Sequence, residues 1–230
     1  MPGRAGRTSR GSGQLLVEDT LFRDYWDEFY AKPHPELQDP SDFARFCKDL
    51  IPDHSSVFEL GCGNGRDALF LARQGLAVSA CDQSTTAIER LTGIVAARDG
   101  WTVPPRFFVQ RFEDLVDGDP LDVIYSRFTL HTVDAPTASR TLRWAHRNLR
   151  PGGQLLIEAR TVRDDLYGLG EASGRDAYIH DGHYRRFVRT DELAAELAEV
   201  GFDVSQIHED KGMAIFGSDD PVVVRAVANR

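Results

Sequence analysis

From Ser56 onward, short apolar runs alternate with amphipathic stretches. Runs near Val57–Leu60, Ala77–Cys81, Phe107–Gln110, Asp122–Ser126 and Gln154–Ala159 predict strands. Between them, Asp67–Arg73, Thr85–Arg98 and Thr137–Leu149 carry helical spacing, the last stopped by Arg150-Pro151-Gly152-Gly153. This alternation is the pattern of βα units around a parallel sheet, an α/β fold. The stretch Arg160–Val188 has little periodicity and scatters Gly168, Gly170, Gly174 and Gly182 among polar residues, so it reads as a long functional connection. Thr190 then opens a helix that ends at Gly201, and strand-like segments follow near Asp203–His208, Met213–Phe216 and Val222–Val227.

Upstream, Leu21, Tyr25, Trp26 and Phe29 recur at helical spacing until Pro33 and Pro35, and Ser41 is placed to cap a second helix through Phe43, Phe46 and Leu50. Both helices precede the first strand. They are additions to the core and candidates for a cover over a site.

Composition narrows the setting. The 230 residues are 41% hydrophobic and 27% charged, an ordinary balance for one globular domain. No apolar run approaches the roughly 18 residues that a membrane span requires. Residues 1–13 hold Arg4, Arg7 and Arg10 among Gly, Ser and Pro and read as a disordered tail without a signal-peptide core. Cys47, Cys62 and Cys81 lack a paired or metal-type spacing, which predicts a reduced, cytoplasmic protein. A formal charge of −9 works against gripping a phosphate backbone, so neither nucleic acid nor membrane is expected as a partner.

The most informative chemistry lies in Val57-Phe58-Glu59-Leu60-Gly61-Cys62-Gly63-Asn64-Gly65. Glycines directly after a strand and before a helix let the chain turn sharply and bring backbone close to a ligand. A dinucleotide fingerprint would be Gly-x-Gly-x-x-Gly, but here residue 66 is Arg and the spacing is Gly-x-Gly-x-Gly. Glu59 would repel a pyrophosphate yet suits a ligand bearing a cation. Asp82, followed by Gln83 and Ser84, ends the next strand about 20 residues on, where such folds bind ribose hydroxyls.

With these residues the chain resembles the class I S-adenosylmethionine-dependent methyltransferases. Glu59 to Gly65 looks like their first motif, Asp82 like the second, and Pro151-Gly152-Gly153 like the turn before their fifth strand. The third departs from the pattern: Gln110-Arg111-Phe112-Glu113-Asp114 puts Arg111 where an acid is usual, leaving Glu113 or Asp114 to meet the adenine and Phe112 to pack beside it. The resemblance implies a Rossmann-like, mostly parallel seven-stranded sheet with helices on both faces and an N-terminal helical lid. It implies one domain over 14–230: a helical cover (21–52), a donor-binding core (56–160), an acceptor-side loop (161–189) and a C-terminal helix and hairpin (190–230). S-adenosylmethionine is the implied cofactor, with Glu59, Gly61, Gly63, Asn64, Gly65, Arg66, Asp82, Gln83, Phe112, Glu113, Ser126 and Arg127 as its expected contacts.

For the acceptor, Tyr125-Ser126-Arg127-Phe128-Thr129-Leu130-His131 leaves the fourth strand toward the same crevice. His131 is a candidate general base, with Tyr25 and Tyr184 as further catalytic candidates. Each also has a plain structural reading. Tyr30, Arg160, His183, Arg185 and Arg186 are candidate substrate contacts, and the arginines would suit an anionic acceptor. His180 and His183 lack a clear third ligand, so no metal is expected. The leading reading is methyl transfer to an oxygen or nitrogen of a small metabolite. The chain lacks the Asn/Asp-Pro-Pro-Tyr/Phe motif of many nucleic-acid methyltransferases. The alternatives are a nicotinamide-dependent oxidoreductase and a non-catalytic S-adenosylmethionine-binding protein.

Overall fold

A computed structural model describes residues 25–32 and 39–230. The expected tail 1–13 and the predicted helix start at Leu21 lie outside the described residues. In chain order, helical residues 25–31 form α1 and Asp42–Leu50 form α2. The core follows as β1 (Ser56–Leu60), α3 (Arg66–Arg73), β2 (Ala77–Asp82), α4 (Thr85–Ala96), β3 (Arg106–Val109), a 3-10 turn (Phe112–Asp114), β4 (Leu121–Arg127), α5 (Ala135–Asn148) and β5 (Leu149–Arg160). Three short strands come next, β6 (Glu171–Gly174), β7 (Ala177–His180) and β8 (His183–Arg186). The last elements are α6 (Thr190–Val200), β9 (Asp203–Asp210) and β10 (Val223–Asn229).

Seven strands pair in the order β3-β2-β1-β4-β5-β10-β9, all parallel except β10, which runs antiparallel to both of its neighbours. Strand alternation divides the core between two faces. Val57, Val78, Val123 and Tyr125 pack with Phe43, Leu71 and Leu91 from α2, α3 and α4. Leu60, Ile124, Leu155 and Ile157 pack with Leu142 and Trp144 of α5 and Leu193 and Leu197 of α6. The fold is therefore the expected Rossmann-like sheet with helices on both faces. Among the described residues, no helix is long and apolar enough to cross a membrane.

The order reverses between β1 and β4, which lie side by side with Leu60 opposite Ser126. Connections from the two strands leave in opposite directions and open a crevice at their carboxyl ends. Ser41 caps α2 by accepting from the Ala44 N–H, and it also donates its own N–H and hydroxyl to the buried Asp67 carboxylate, each at 2.7 Å. Tyr125 of β4 donates to the same carboxylate at 2.7 Å. Asp67 thereby ties α2, the start of α3 and the central strand beneath the crevice.

Two segments differ from the sequence pattern. Arg160–Val188 is not an irregular connection but contains the antiparallel sheet β6-β7-β8. Its strands are four residues long, β6 exposed throughout and β7 and β8 mostly half-buried, too short to show a period. The β7–β8 turn is Asp181-Gly182, with φ of 52° and 73°, as a two-residue type I′ hairpin requires. Met213–Phe216 is not a strand. Gly212 and Gly217 flank it in the left-handed region, and it closes on an isolated bridge from Phe216 to Asp219.

Candidate functional site

The crevice holds a cavity of about 490 Å³, within the ~300–1,000 Å³ typical of enclosed small-molecule sites. Its first wall is the glycine turn. Gly61, Gly63 and Gly65 all have positive φ, of 65°, 51° and 74°. A Cβ on Gly61 would run into the Thr129 side chain, and one on Gly65 into Leu91. Glycine is thus needed twice at each, for backbone conformation and for close approach.

Asp82 braces this turn. Its Oδ2 accepts the Gly63 N–H at 2.8 Å and its Oδ1 the Ser84 N–H at 2.9 Å. Burial pushes its carboxyl up while those two N–H groups pull it down. Ser84, not Asp82, caps α4, accepting from the Ala87 N–H. Both Asp82 and Gln83 line the cavity.

Glu59 is the unusual group. It is 4% exposed, lines the cavity, and its Oε2 has no hydrogen-bond partner among the described residues. Burial, followed by the neighbouring Asp67 carboxylate, raises its carboxyl well above the ordinary range, with Arg127 opposing. An orphaned buried carboxylate facing an open cavity suits a cationic ligand, whose charge would offset the desolvation.

The exit of β3 supplies Gln110, Arg111, Phe112 and Glu113, all lining the cavity. Glu113 pairs with Arg111 at 3.5 Å. Of the two acids open at this position, Glu113 borders the cavity.

Across the crevice, β4 ends on Arg127, whose Nε donates to Glu158 at 2.9 Å, and Glu158 also takes Arg225 at 2.8 Å. Next comes Phe128, at φ 55°, a left-handed conformation costly for a bulky residue. It is held there by its N–H to the Glu158 carbonyl at 2.8 Å and by guanidinium groups over its ring, Arg127 at 4.3 Å and Arg160 at 5.6 Å. Phe128 lines the cavity with Thr132, Val133, Asp134 and Thr137. The β6-β7-β8 sheet adds Ser173, Ile179 and Tyr184, and α1 adds Trp26, Phe29 and Tyr30.

The residues expected from sequence divide cleanly. Glu59, Gly61, Asn64, Arg66, Asp82, Gln83, Phe112, Glu113, Arg127, Tyr30 and Tyr184 border the cavity. Gly63, Gly65 and Ser126 lie just behind it, Ser126 sharing a 2.6 Å hydrogen bond with Thr129. The expected anion-binding arginines are not in the wall. Arg160 is committed to Asp164 and Asp219, and Arg186 donates to the carbonyls of Leu130 and Val133. Arg185 is half-buried outside the lining, its pKa lowered by burial and by Arg160.

His131 stands behind Phe128, ring to ring at 5.3 Å, and its Nδ1 accepts the Arg160 N–H at 3.4 Å. That direction leaves the hydrogen on Nε2, so this tautomer offers no base to the cavity. Burial, then Arg160, His183, Arg185 and Arg186, lowers its pKa well below the ordinary histidine value. An imidazole NMR titration is therefore expected to find His131 neutral down to pH 6. Because its folded pKa is depressed, its contribution to stability is present above about pH 6.5 and falls as the unfolded chain protonates below it. A ring titrating at or above pH 6.5 would contradict this.

His183 is buried, with Nε2 unpartnered among the described residues, and its pKa is pushed down to about 3 by burial and by Arg185 and Arg160. It packs against Tyr25 at 5.1 Å and Trp26 at 4.9 Å, so Tyr25 and His183 fasten α1 to the small sheet. His180 pairs with His183 across the hairpin.

Sequence reasoning did not single out Asp27, Asp67, Phe128, Asp134, Ser173 or Ile179 as site residues. Asp134 was detectable, since Asp-Ala-Pro is a helix-start pattern and its Oδ1 does accept the Thr137 N–H at 2.8 Å. Phe128 and Ile179 carry no local signal.

A family model described as a methyltransferase domain matches residues 30–207. The chain is 28% identical over 222 residues to a tRNA N(3)-methylcytidine methyltransferase of Drosophila melanogaster, covering 83% of this chain and 65% of that protein. It is 26% identical over 217 residues to a ubiquinone biosynthesis O-methyltransferase of Xylella fastidiosa, covering 90% and 85%. Among solved structures it resembles the 1,6-didemethyltoxoflavin-N1-methyltransferase of Burkholderia thailandensis, which holds 1,6-didemethyltoxoflavin and S-adenosylhomocysteine. The TM-score is 0.67 at 16% identity, with coverage of 100% and 93%, a likeness of fold. The matched family segment begins at Tyr30 and takes in the glycine turn, the exits of β2, β3 and β4, and the small sheet, so that of the described residues bordering the cavity only Trp26 and Phe29 fall outside it: the chain belongs to the methyltransferase domain family and is an S-adenosylmethionine-dependent methyltransferase.

Proposed function

We propose that the chain methylates an oxygen or nitrogen of a small, flat, uncharged acceptor held between Phe128, the small sheet and α1. The observation that carries this reading is the character of the acceptor end. Trp26, Phe29, Phe128, Val133, Ile179 and Tyr184 form its walls, with hydroxyls from Thr132, Thr137 and Ser173. The arginines bordering the cavity, Arg66, Arg111 and Arg127, each face a carboxylate at 3.9, 3.5 and 2.9 Å. Among the described residues, an anionic acceptor would find no arginine in the wall without a facing carboxylate. The O- and N-methyltransferases among the similar proteins support both acceptor atoms.

S-adenosylmethionine supplies the activated methyl group on its sulfonium. In this reading Glu59 receives the donor's ammonium, Asp82 its ribose hydroxyls, and Phe112 with Glu113 its adenine. The orphaned Glu59 oxygen and the glycine turn fit that ligand. Thr129 packs against Gly61 and links the donor side to Phe128, so the two half-sites are built from adjacent residues of one strand exit. Positioning and exclusion of water then supply most of the rate, since in-line displacement needs little covalent help. Burial raises the pKa of Tyr184, so its phenol stays protonated and donates a hydrogen bond that orients the acceptor, whose proton passes to water after the methyl group has moved. The formal charge of −9 and the aromatic enclosure favour a small-molecule over a nucleic-acid acceptor in this reading. Three buried free thiols suit a cytoplasmic setting.

S-adenosylhomocysteine release tests this across phenols, aromatic amines, carboxylic acids and tRNA. Turnover is expected with phenols or aromatic amines, and Tyr184→Phe should cut kcat/KM by about 10–100-fold on the acceptor that works. Turnover confined to carboxylic acids or to tRNA would overturn the acceptor assignment. Tight donor binding with no product from any class would favour the non-catalytic alternative.

A further inference from the structure

Among the described residues, the non-glycine positions with positive φ are His54, Phe128, Asp176 and Asp181. Aspartate and histidine visit the left-handed region more readily than most types, whereas a bulky aromatic residue is an outlier there. Of these positions, Phe128 is also the one that borders the cavity. Backbone strain of this kind persists only where the surrounding structure over-determines it.

What over-determines it is a row of charges at the carboxyl end of β4. Arg127 of β4, Glu158 of β5 and Arg225 of β10 stand directly opposite one another across three paired strands. The Glu158 side chain is fully buried and takes Arg127 at 2.9 Å on one oxygen and Arg225 at 2.8 Å on the other. Its backbone carbonyl accepts the Phe128 N–H at 2.8 Å. One residue thus fixes the strained peptide and, through Arg127, the guanidinium that lies 4.3 Å from the ring centre. Two residues further along β5, Arg160 lies 5.6 Å from the same centre and is itself held by Asp164 and Asp219. A buried ion row is costly, and apolar side chains of similar volume would join three strands at least as well. It has a use where one conformation must be held against its own strain.

We propose that Phe128 is the specificity-determining residue of the acceptor site, selecting flat, unsaturated rings over puckered ones, and that Glu158 is the positioning residue that holds it. The inference deepens the acceptor reading given above and rests on it. A Phe128 ring fixed in tilt is a planar wall of constant position, against which an aromatic acceptor stacks or packs edge to face and a saturated ring does not. The next residue, Thr129, packs against Gly61, so the tilt is set relative to the glycine turn. Relaxed to an ordinary φ, residue 128 would carry its ring out of the wall, and the acceptor atom would lose its line to the donor.

The test is calorimetric binding of 2-naphthol and decahydro-2-naphthol to the full chain loaded with S-adenosylhomocysteine. These are two uncharged alcohols with one carbon skeleton, flat and puckered. The parent protein should bind 2-naphthol about tenfold more tightly. Phe128→Gly, which keeps the left-handed backbone and removes the ring, and Phe128→Leu should bring the two within about threefold, while Kd for S-adenosylhomocysteine moves less than about threefold. Glu158→Gln should shrink the preference by about threefold or more although Phe128 is intact, an effect that lost stability alone does not produce. A double-mutant cycle in Tm reads the hold directly: Glu158→Gln should lower Tm by at least about 2 °C less in the Phe128→Gly background than in the parent. Glu158→Asp takes the place of Glu158→Gln in both measurements if the latter does not fold by circular dichroism. A preference unchanged within about twofold in the folded Phe128 variants would overturn the selection, and additive melting shifts would overturn the hold. Binding of neither alcohol would overturn the acceptor reading and the selection with it, whereas the melting cycle reads the hold of Glu158 on Phe128 without any acceptor.

Discussion

Replacing Glu59 by Gln should weaken S-adenosylhomocysteine binding by about 100-fold or more, while making the ligand-free protein more stable. The first effect follows from charge: removing one partner of a buried ion pair costs about 3–5 kcal/mol, and each 1.4 kcal/mol is tenfold in affinity. The second follows from desolvation, since the carboxylate is 4% exposed and its Oε2 is unpartnered among the described residues. Its folded pKa is raised above the unfolded value by burial first and Asp67 second. The native state therefore keeps a proton that the unfolded chain has lost, and the stability contributed by this group falls as pH rises from the ordinary carboxyl range toward the raised value. Gln abolishes that penalty, so the variant's melting advantage should grow from pH 5 to pH 8. Binding of the ammonium-bearing ligand should also release a proton from the parent protein but not from Glu59→Gln, read by calorimetry in buffers of different ionisation enthalpy. Unchanged affinity, within threefold, would remove Glu59 from the donor site.

Gly61→Ala should lower the melting temperature by about 5–15 °C and abolish measurable S-adenosylhomocysteine binding. At φ 65° an L-residue pays about 1–2 kcal/mol. The new methyl group also enters the Thr129 side chain, and such overpacking adds about 1–3 kcal/mol. For a chain of this length, 1 kcal/mol shifts the midpoint by about 2–4 °C. Gly75→Ala is the matched control. Its φ is 86°, yet a Cβ there meets nothing within 4 Å, so it should cost only the conformational part and leave binding intact. Equal effects at both positions would mean that the close approach at Gly61 contributes nothing. The displaced Thr129 adjoins Phe128, so an acceptor that still binds should also lose turnover.

Glu59 and Gly61 are legible in the amino-acid sequence because the chemistry at the turn is local. A strand, a glycine turn and a following helix place the two within a few bonds of one another, and Asp82 follows one βα unit later. The longer strands of the large sheet and its helices are equally readable, since each has an apolar face long enough to show its period, and the short β3 is read from the apolar run Phe107–Val109 between two helical stretches. The β6-β7-β8 strands show no period, being four residues long and partly exposed, and the Asp181-Gly182 turn is their only strong signal.

The acceptor side depends on contacts distant along the chain. His131 and the arginines stand out in the sequence for their reactive side chains, yet residue type does not reveal which neighbours claim them. Arg160 is held by Asp164 and by Asp219, 59 residues away, and His131 is turned toward a backbone N–H behind Phe128. What borders the cavity instead is apolar Phe128, Ile179 and Val133, residue types that sequence alone assigns to any core.

Sequence by itself therefore determined the sheet, the glycine turn, the carboxylates around it and the expectation of a cationic donor, because these rest on periodicity and on backbone geometry within one or two elements. Only the tertiary structure decided the rest. Asp27 meets α4 across 57 residues, Tyr30 reaches Gly63, and the small sheet closes on α1. Such contacts are selected by complementarity between surfaces far apart in the chain, and no local pattern encodes which surfaces will meet.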